Sequence, residues 1–518
     1  LHQITGEADW LAEIAKSAHR RRSLVASQQT SQNPLIDALI ARHAGSEAPF
    51  LVSPSGETTT YAAFYRDVMV MAAALQDKGV KAGDRVLAQT GKRPETLMLY
   101  LATVAAGGVF VPLNTAYTSA ELDYFIGDAQ PALFMMDEST KAAAKVAEAH
   151  GVQSASLDDA IAAPSAPFAP VARSGEDLAA ILYTSGTTGR SKGAMLTHTN
   201  LLSNAQTLTR AWRYSSEDVL LHALPIFHTH GLFVASNVTL AAGASMIFLP
   251  AFDLDDMARM LPKASTIMGV PTFYTRMLGD DRFNRESMAH MRLCVSGSAP
   301  LLGETHRAFY AKTGHAILER YGMTETNMIT SNPYDGGRRP GTVGPPLADV
   351  EVRLGTPDEK GIGGIEVRGP NVTPGYWHNR EKTDESFTED GFFITGDLGT
   401  ISDDGYVSIV GRQKDLVISG GYNIYPKEVE IQIDSLPGVV ESAVYGVPHD
   451  DLGEAVAAAV VIEPGSDVTV QTLLEALQDK LARFKQPRVI TIVDALPRNT
   501  MGKVQKNVLR ETPARPNA

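Results

Sequence analysis

One cysteine, Cys294, is all the thiol this 518-residue chain contains. That excludes an intramolecular disulfide and any cysteine-rich metal site, and it suits a reducing compartment. Positive charge is the scarcer sign, with 46 Lys and Arg against 59 Asp and Glu, a net of −13 at pH 7. Such a balance excludes a general nucleic-acid or anionic-membrane surface and leaves room for a local basic pocket. Long apolar runs are missing as well. The longest uncharged stretch, residues 96–120, contains Gly107, Gly108, Pro112 and Asn114. It reads as a buried helix, a glycine break and the strand Val109, Phe110, Val111, where a membrane span needs ~20 uninterrupted apolar residues. No apolar leader opens the chain, and Glu7, Asp9 and Glu13 speak against an organellar transit peptide. These absences fit a cytoplasmic setting with no nucleic-acid or membrane partner; a monomer or homodimer is expected.

What is present is an ordinary globular composition, 44% hydrophobic and 20% charged, with length for about three to four domain-equivalents of ~150 residues. Trp10, Leu11, Ile14, Ala15 and Ala18 share one helical face ahead of Arg20, Arg21 and Arg22, so residues 1–33 read as an appended helical arm, packed on the body or loose. From Pro34 onward strand-like runs alternate with helical periods: residues 84–88, 109–113 and 132–136 as strands, a helix opened by Pro94 and another over residues 121–127. That rhythm predicts a mostly parallel, helix-covered sheet. Residues 162–170 form a Pro-rich connector. After Gly344 the texture turns to short, glycine-bounded, β-rich pieces, and a last shift follows Arg412. The expected division is an arm (1–33), a large α/β body (34–412) and a small C-terminal α+β domain (413–518).

An apolar strand over residues 178–183 runs into Thr184, Ser185, Gly186, Thr187, Thr188, Gly189, Arg190, Ser191, Lys192 and Gly193. Three glycines let the backbone curl and turn N–H groups inward; the hydroxyls add donors, and Arg190 and Lys192 add charge. Such a nest suits a polyphosphate. It is not a Walker loop, because Lys192 is followed by Gly193 rather than Ser or Thr. A flexible polar connector is the bland alternative, and it leaves the cations behind a buried strand unexplained.

This loop resembles the signature of the adenylate-forming superfamily, which includes acyl-CoA synthetases, luciferases and adenylation domains. Further matches follow in order: Tyr321-Gly322-Met323-Thr324-Glu325, Gly341-Thr342-Val343-Gly344, Thr395-Gly396-Asp397, Gly411-Arg412-Gln413-Lys414-Asp415, and Pro497 through Lys503. The resemblance implies a large body of helix-covered sheets with a β-rich subdomain, and a small mobile C-terminal domain. It also implies ATP, Mg²⁺ and coenzyme A. A carboxylate attacks the α-phosphate of ATP, pyrophosphate leaves, and a thiol then displaces AMP, so charge neutralisation should dominate catalysis.

By the same resemblance, Thr184, Ser185, Gly186, Thr187, Thr188, Gly189 and Lys192 hold the β- and γ-phosphates. Thr324 touches the α-phosphate and Glu325 holds Mg²⁺. Ser298, Ala299, Pro300, Gly322 and Met323 belong to the nucleotide wall, with Tyr321 flat against adenine. Asp397, in a short Gly-Asp turn, accepts the ribose hydroxyls with Arg412 beside it. Lys503 bridges carboxylate and α-phosphate in adenylation only, after which the small domain turns about Lys414 and brings Gly420 and Gly421 to the thiol side. Each has a plainer alternative: Glu325 a surface carboxylate, Asp397 an Asx turn, Tyr321 core, Lys503 a solvated tail lysine.

The acid is read from two arginines. Arg276 follows residues 269–275, and Arg320 directly precedes Tyr321, where many relatives carry a small residue. Two guanidinium forks in a closed pocket match a second carboxylate on the substrate. With Ser298 as a donor, they resemble the set of the malonyl-CoA synthetases, which implies malonate or methylmalonate as substrate. The alternative is an internal salt bridge, to Glu319 or Asp280. Met323 and Leu232 would cap a shallow pocket. His228, beside His230, is a pocket wall or gate, a satisfied core histidine, or one of a metal-binding pair that lacks further ligands nearby. Arg483, Lys485 and Arg488 could meet the phosphates of coenzyme A or form a solvated basic face. Rival readings are a ligase for another short acid, a module loading a carrier protein, a luciferase-type oxidase, and a silent nucleotide-binding relative. The short tail behind Lys503 argues against a built-in carrier.

Overall fold

The structure, a computed structural model, describes residues 32–161, 168–184, 191–419, 422–449, 452–478, 480–498 and 503–511. Residues 1–31 of the expected arm, most of the connector, Ser185 to Arg190, Gly420 and Gly421 lie outside the described residues. Four sheets carry the described chain. The first has six strands, in the order Gln153–Ser156, Leu133–Met136, Arg85–Gln89, Val109–Pro112, Leu178–Thr184 and Lys192–Thr197. It is parallel except at its last pair. The second has eight: Asn327–Ser331, Leu318–Met323, Leu293–Ser296, Thr266–Gly269, Val219–His222, Ser245–Phe248, Pro49–Val52 and Thr58–Thr60. Its interior is parallel and its two outer pairs antiparallel.

Parallel strands are covered on both faces, and Val109–Pro112, Thr266–Gly269 and Leu293–Ser296 are buried at every residue. Helix Pro94–Ala105 starts on a proline whose missing N–H costs nothing there, and it is buried from Thr96 to Ala105. The uncharged run is therefore buried from Thr96 to Asn114 and reaches the surface only over its last six residues. No helix among the described residues is long and apolar enough to cross a membrane. Thr118 with Glu121 and Thr197 with Asn200 form reciprocal caps that start the helices Ser119–Ala129 and His198–Ala211.

The third sheet is antiparallel: Glu351–Leu354, Gly363–Arg368, Phe393–Ile401 and Val407–Arg412. Here one expectation is corrected. Asp397 lies inside the strand Phe393–Ile401 rather than in a turn behind it, because Gly396, at φ +73°, bends the chain without ending the ladder. A single 3₁₀ turn, Gln413–Asp415, leads from this sheet to the fourth. That sheet pairs Tyr422–Ile424, Val417–Ser419, Gly453–Ile462 and Val439–His449, with Val489–Ile492 alongside Gly453–Ile462. Val429, Ile433, Leu473 and Leu477 cover one face; Leu496 and Leu509 cover the other.

His198, fully buried, has both ring nitrogens without a hydrogen-bond partner among the described residues. Burial, with Arg173 nearby, pushes it down to about 4. The unfolded chain then binds the proton first, so stability present above pH 6.5 drains as pH falls toward 4. Melting temperatures at pH 7 and pH 5 should show a smaller acid penalty for His198→Phe, by the equivalent of about 2 kcal/mol. Parallel curves for the two proteins would contradict this.

Candidate active site

The candidate residues collect where parallel strands of the second sheet end. Leu293–Ser296 runs into Gly297 and Ser298, Leu318–Met323 into Thr324 and Glu325, and Val219–His222 into a loop with His228 that leads to the π-helix His230–Ser236. Open α/β sheets place ligands at such carboxyl ends. On one side stands Tyr321, whose hydroxyl donates to Asp397 Oδ2 at 2.5 Å. Arg412 Nε lies 3.2 Å from Asp397 Oδ1. The Asp397 carboxylate is thus held by a hydroxyl and a guanidinium, while the Tyr321 ring packs against the core cluster of Ile329, Ile365, Val367 and Val407 and its hydroxyl reaches another sheet.

Glu325 is buried and accepts from the Tyr376 hydroxyl at 2.9 Å and the Thr184 hydroxyl at 3.5 Å. It is no surface carboxylate. Thr184 pairs with Lys192 across the loop. Burial lowers the Lys192 amine, and Lys382 adds to the effect; its Nζ lies 5.9 Å from the Tyr376 ring. Tyr376 escaped the sequence reading because its partner Glu325 is distant in the chain and no local pattern marks the pair.

On the other side lies Arg320, 3% exposed. Its guanidinium is laid against Gly297, where any Cβ would collide with it. Its Nε and Nη2 have no hydrogen-bond partner among the described residues. The internal salt bridge weighed from sequence does not form. Asp280 is engaged by Arg282 at 2.6 Å. Glu319, adjacent on the strand, is raised to about 8 by burial and is mostly protonated at neutral pH. Burial pulls Arg320 itself down to about 9, so it keeps its charge at pH 7. His228 is pushed down to about 3 by burial, then by Lys503 and Arg320. His230, buried, sits well below its ordinary value for the same first reason, with Nδ1 3.2 Å from Ser298 Oγ. Both rings are neutral, and the cations beside them make a poor setting for a metal ion. Ser298 itself takes φ +71°, a strained conformation of the kind that collects at functional sites.

Arg276 is placed differently from the expectation. It is exposed at the end of helix Pro271–Leu278, its guanidinium 5.9 Å from the Phe252 ring. A helix following the strand carries its last turn to the surface, so only Arg320 is a buried fork. Lys485 is also reassigned: it is buried and ion-paired with Glu428, leaving Arg483 and Arg488 exposed. Leu232 is buried, Met323 and Thr324 partly so, Ala299 partly exposed and Pro300 exposed.

Lys503 is no solvated tail lysine. Burial lowers its amine, followed by Arg412, while Asp397 and Glu325 work the other way and Arg320 adds to the lowering. One cationic amine thus feels both sides of the site. Lys414 lies in the 3₁₀ turn between the third and fourth sheets.

A family model described as AMP-binding enzyme matches residues 39–377, and one described as AMP-binding enzyme C-terminal domain matches residues 428–503. A malonate–CoA ligase of Arabidopsis thaliana is 37% identical, over 80% of this chain and 75% of its own. A long-chain-fatty-acid–CoA ligase of Bacillus subtilis is 30% identical over 98% of both. The crystal structure of ATP-bound MatB from Rhodopseudomonas palustris is 55% identical, with TM-score 0.91, over 93% of this chain and 99% of that one. The apo crystal structure of the same protein gives 0.80.

A methyl group at Gly297 should displace the Arg320 guanidinium. Gly297→Ala is expected to weaken binding of a small dicarboxylate by about 100-fold, the scale of a misplaced binding group, with ATP binding retained. Calorimetric titration of both ligands checks this; equal dicarboxylate affinity in variant and parent would contradict it.

Proposed function

The chain belongs to the AMP-binding enzyme family, and from that premise we propose that it is an acid–thiol ligase joining malonate to coenzyme A. It is an AMP-forming ligase, and ATP and coenzyme A are its substrates, as in the CoA ligases it is related to. The relatives act on acids as different as malonate and long-chain fatty acids, so the acid has to be read from this chain's own residues. The observation that carries malonate is the buried Arg320 guanidinium, two of whose nitrogens have no hydrogen-bond partner among the described residues. A carboxylate supplies the missing acceptors in a bidentate arrangement, and a short chain between two carboxylates places the second at the nucleotide.

In this reading one malonate carboxylate oxygen attacks the α-phosphorus of ATP, pyrophosphate departs, and malonyl-adenylate forms. Lys503 neutralises the charge shared by the attacking carboxylate and the α-phosphate, and Thr324 donates to it. Tyr321, with Gly322, Met323 and the 298–300 segment, walls the adenine, and Asp397 with Arg412 takes the ribose hydroxyls. Thr184 and Lys192 begin and end the loop that would hold the outer phosphates, with Ser185, Gly186, Thr187, Thr188 and Gly189 between them. Glu325 fits a hard cation: its buried carboxylate takes both the Tyr376 and the Thr184 hydroxyl on Oε1, and Mg²⁺ held by this carboxylate would neutralise phosphate charge. The sulfur of coenzyme A then attacks the acyl carbon, its proton is lost, and AMP leaves. The two-domain division at residues 34–412 and 413–518, with Lys414 as hinge, lets one site serve both steps. His228 and Met323 border the acid, and Arg276 contributes as an exposed second cation, weaker because water screens it. The lone cysteine supports a cytoplasmic setting.

The test is coenzyme-A-dependent AMP formation with acetate, malonate, methylmalonate and succinate, using the parent, Arg320→Ala and Lys503→Ala. Malonate should be preferred by the parent. Arg320→Ala should lose ~3–5 kcal/mol, roughly two to four powers of ten in kcat/KM, and with it the preference over acetate. An Arg320→Ala enzyme that still favours malonate would defeat the reading.

A further inference from the structure

The lysine that feels both sides of the site is carried by a short segment, and something must hold that segment still. The described residues on either side of 499–502 are paired with each other: Gln505 N donates to Pro497 O at 2.8 Å, and Arg498 and Val504 form an antiparallel bridge. Arg498 is ion-paired with Glu441 on the strand Val439–His449. Directly behind Lys503 comes the helix Lys506–Glu511, which seats Leu509 in the core but is too short to be stable alone.

Its first residue is gripped from an unexpected quarter. Glu430, buried on the helix Pro426–Asp434, accepts from Lys506 Nζ at 2.7 Å and from Val444 N at 3.0 Å. Lys427 Nζ lies 3.7 Å from its other oxygen. Burial alone would raise this carboxyl, but Lys506 and Lys427 outweigh burial and hold it below the ordinary value. The charges facing it from every packed element are therefore these two lysines, with Asp434 and Glu441 beyond on the same helix and the next strand. One carboxylate thus ties a helix, a strand and the first residue after the Lys503 segment.

We propose that Glu430 is a positioning residue for adenylation: by fixing Lys506 it fixes where the Lys503 amine reaches. Glu430 touches no substrate. The inference rests on the adenylation role assigned above to Lys503, and it makes a demand that mere fold stability does not. If Lys503 serves only the first half-reaction, loosening its base must slow that half-reaction alone.

The experiment measures the two half-reactions apart on the full chain. Malonate-dependent pyrophosphate release reports adenylation; coenzyme-A-dependent consumption of preformed malonyl-adenylate reports thioester formation. Glu430→Gln and Lys506→Met are expected to slow adenylation by about 100-fold in kcat, as misplacement of a catalytic group does, with thioester formation and the KM for malonate little changed. Lys506→Arg, which keeps the charge, should restore adenylation to within about threefold of the parent. Loss of both half-reactions together, or of neither, would overturn the proposal. Lys503→Ala separates the two layers: if it leaves adenylation intact, the functional reading itself fails, whereas loss there with a fast Glu430→Gln enzyme rejects only the positioning role.

Discussion

A buried guanidinium with no counter-ion among the described residues is the constraint around which this site is arranged. Removing one partner of a buried ion pair typically costs ~3–5 kcal/mol, and Nε and Nη2 of Arg320 have no hydrogen-bond partner among the described residues. The surroundings are shaped to tolerate it. Gly297 gives up its side chain to make room; His228 and His230 stay neutral so that no further positive charge accumulates; Glu319, the nearest acid in sequence, is protonated by its own burial and cannot quench it. In the proposed reading such a charge is held for a ligand, an anion that comes with a carboxylate to spare.

Geometry then links acid recognition to activation. Arg320 and Tyr321 are neighbours on one strand, and a strand sends successive side chains to opposite faces. Arg320 consequently lies against Gly297, while the Tyr321 hydroxyl reaches Asp397 in another sheet. Lys503 arrives from the fourth sheet's domain and feels Asp397, Glu325 and Arg320 together. On the proposed function, this places the cation where an attacking carboxylate and an α-phosphate would repel each other. This arrangement superposes better on the ATP-bound form of MatB from Rhodopseudomonas palustris, at TM-score 0.91, than on its apo form, at 0.80.

Much of this was legible in the sequence, for reasons that differ by residue. Val109 and Phe110 could be placed on a strand because parallel strands need apolar residues on both faces, and the Gly107-Gly108 break marks its start. Arg320 stood out because its position is next to a motif. Glu325, Asp397 and Lys503 were identified through resemblance alone; nothing in their local pattern shows burial or partners. Arg276 looked equivalent to Arg320 in sequence, yet a helix's last turn put it in solvent. Asp397 was expected in a turn because a Gly-Asp pair usually makes one, and only the strand pairing with Val407–Arg412 reveals that the ladder continues. Gly297 and Tyr376 matter through contacts with residues distant in the chain, which no window of sequence displays.

The most direct measurement is a crystal structure of the protein with a stable malonyl-adenylate analogue. The account predicts the free carboxylate of the malonyl group within hydrogen-bond distance of the Arg320 guanidinium, with Lys503 beside the phosphate. A free carboxylate turned to solvent, or an Arg320 paired with an acid of the protein itself, would contradict it.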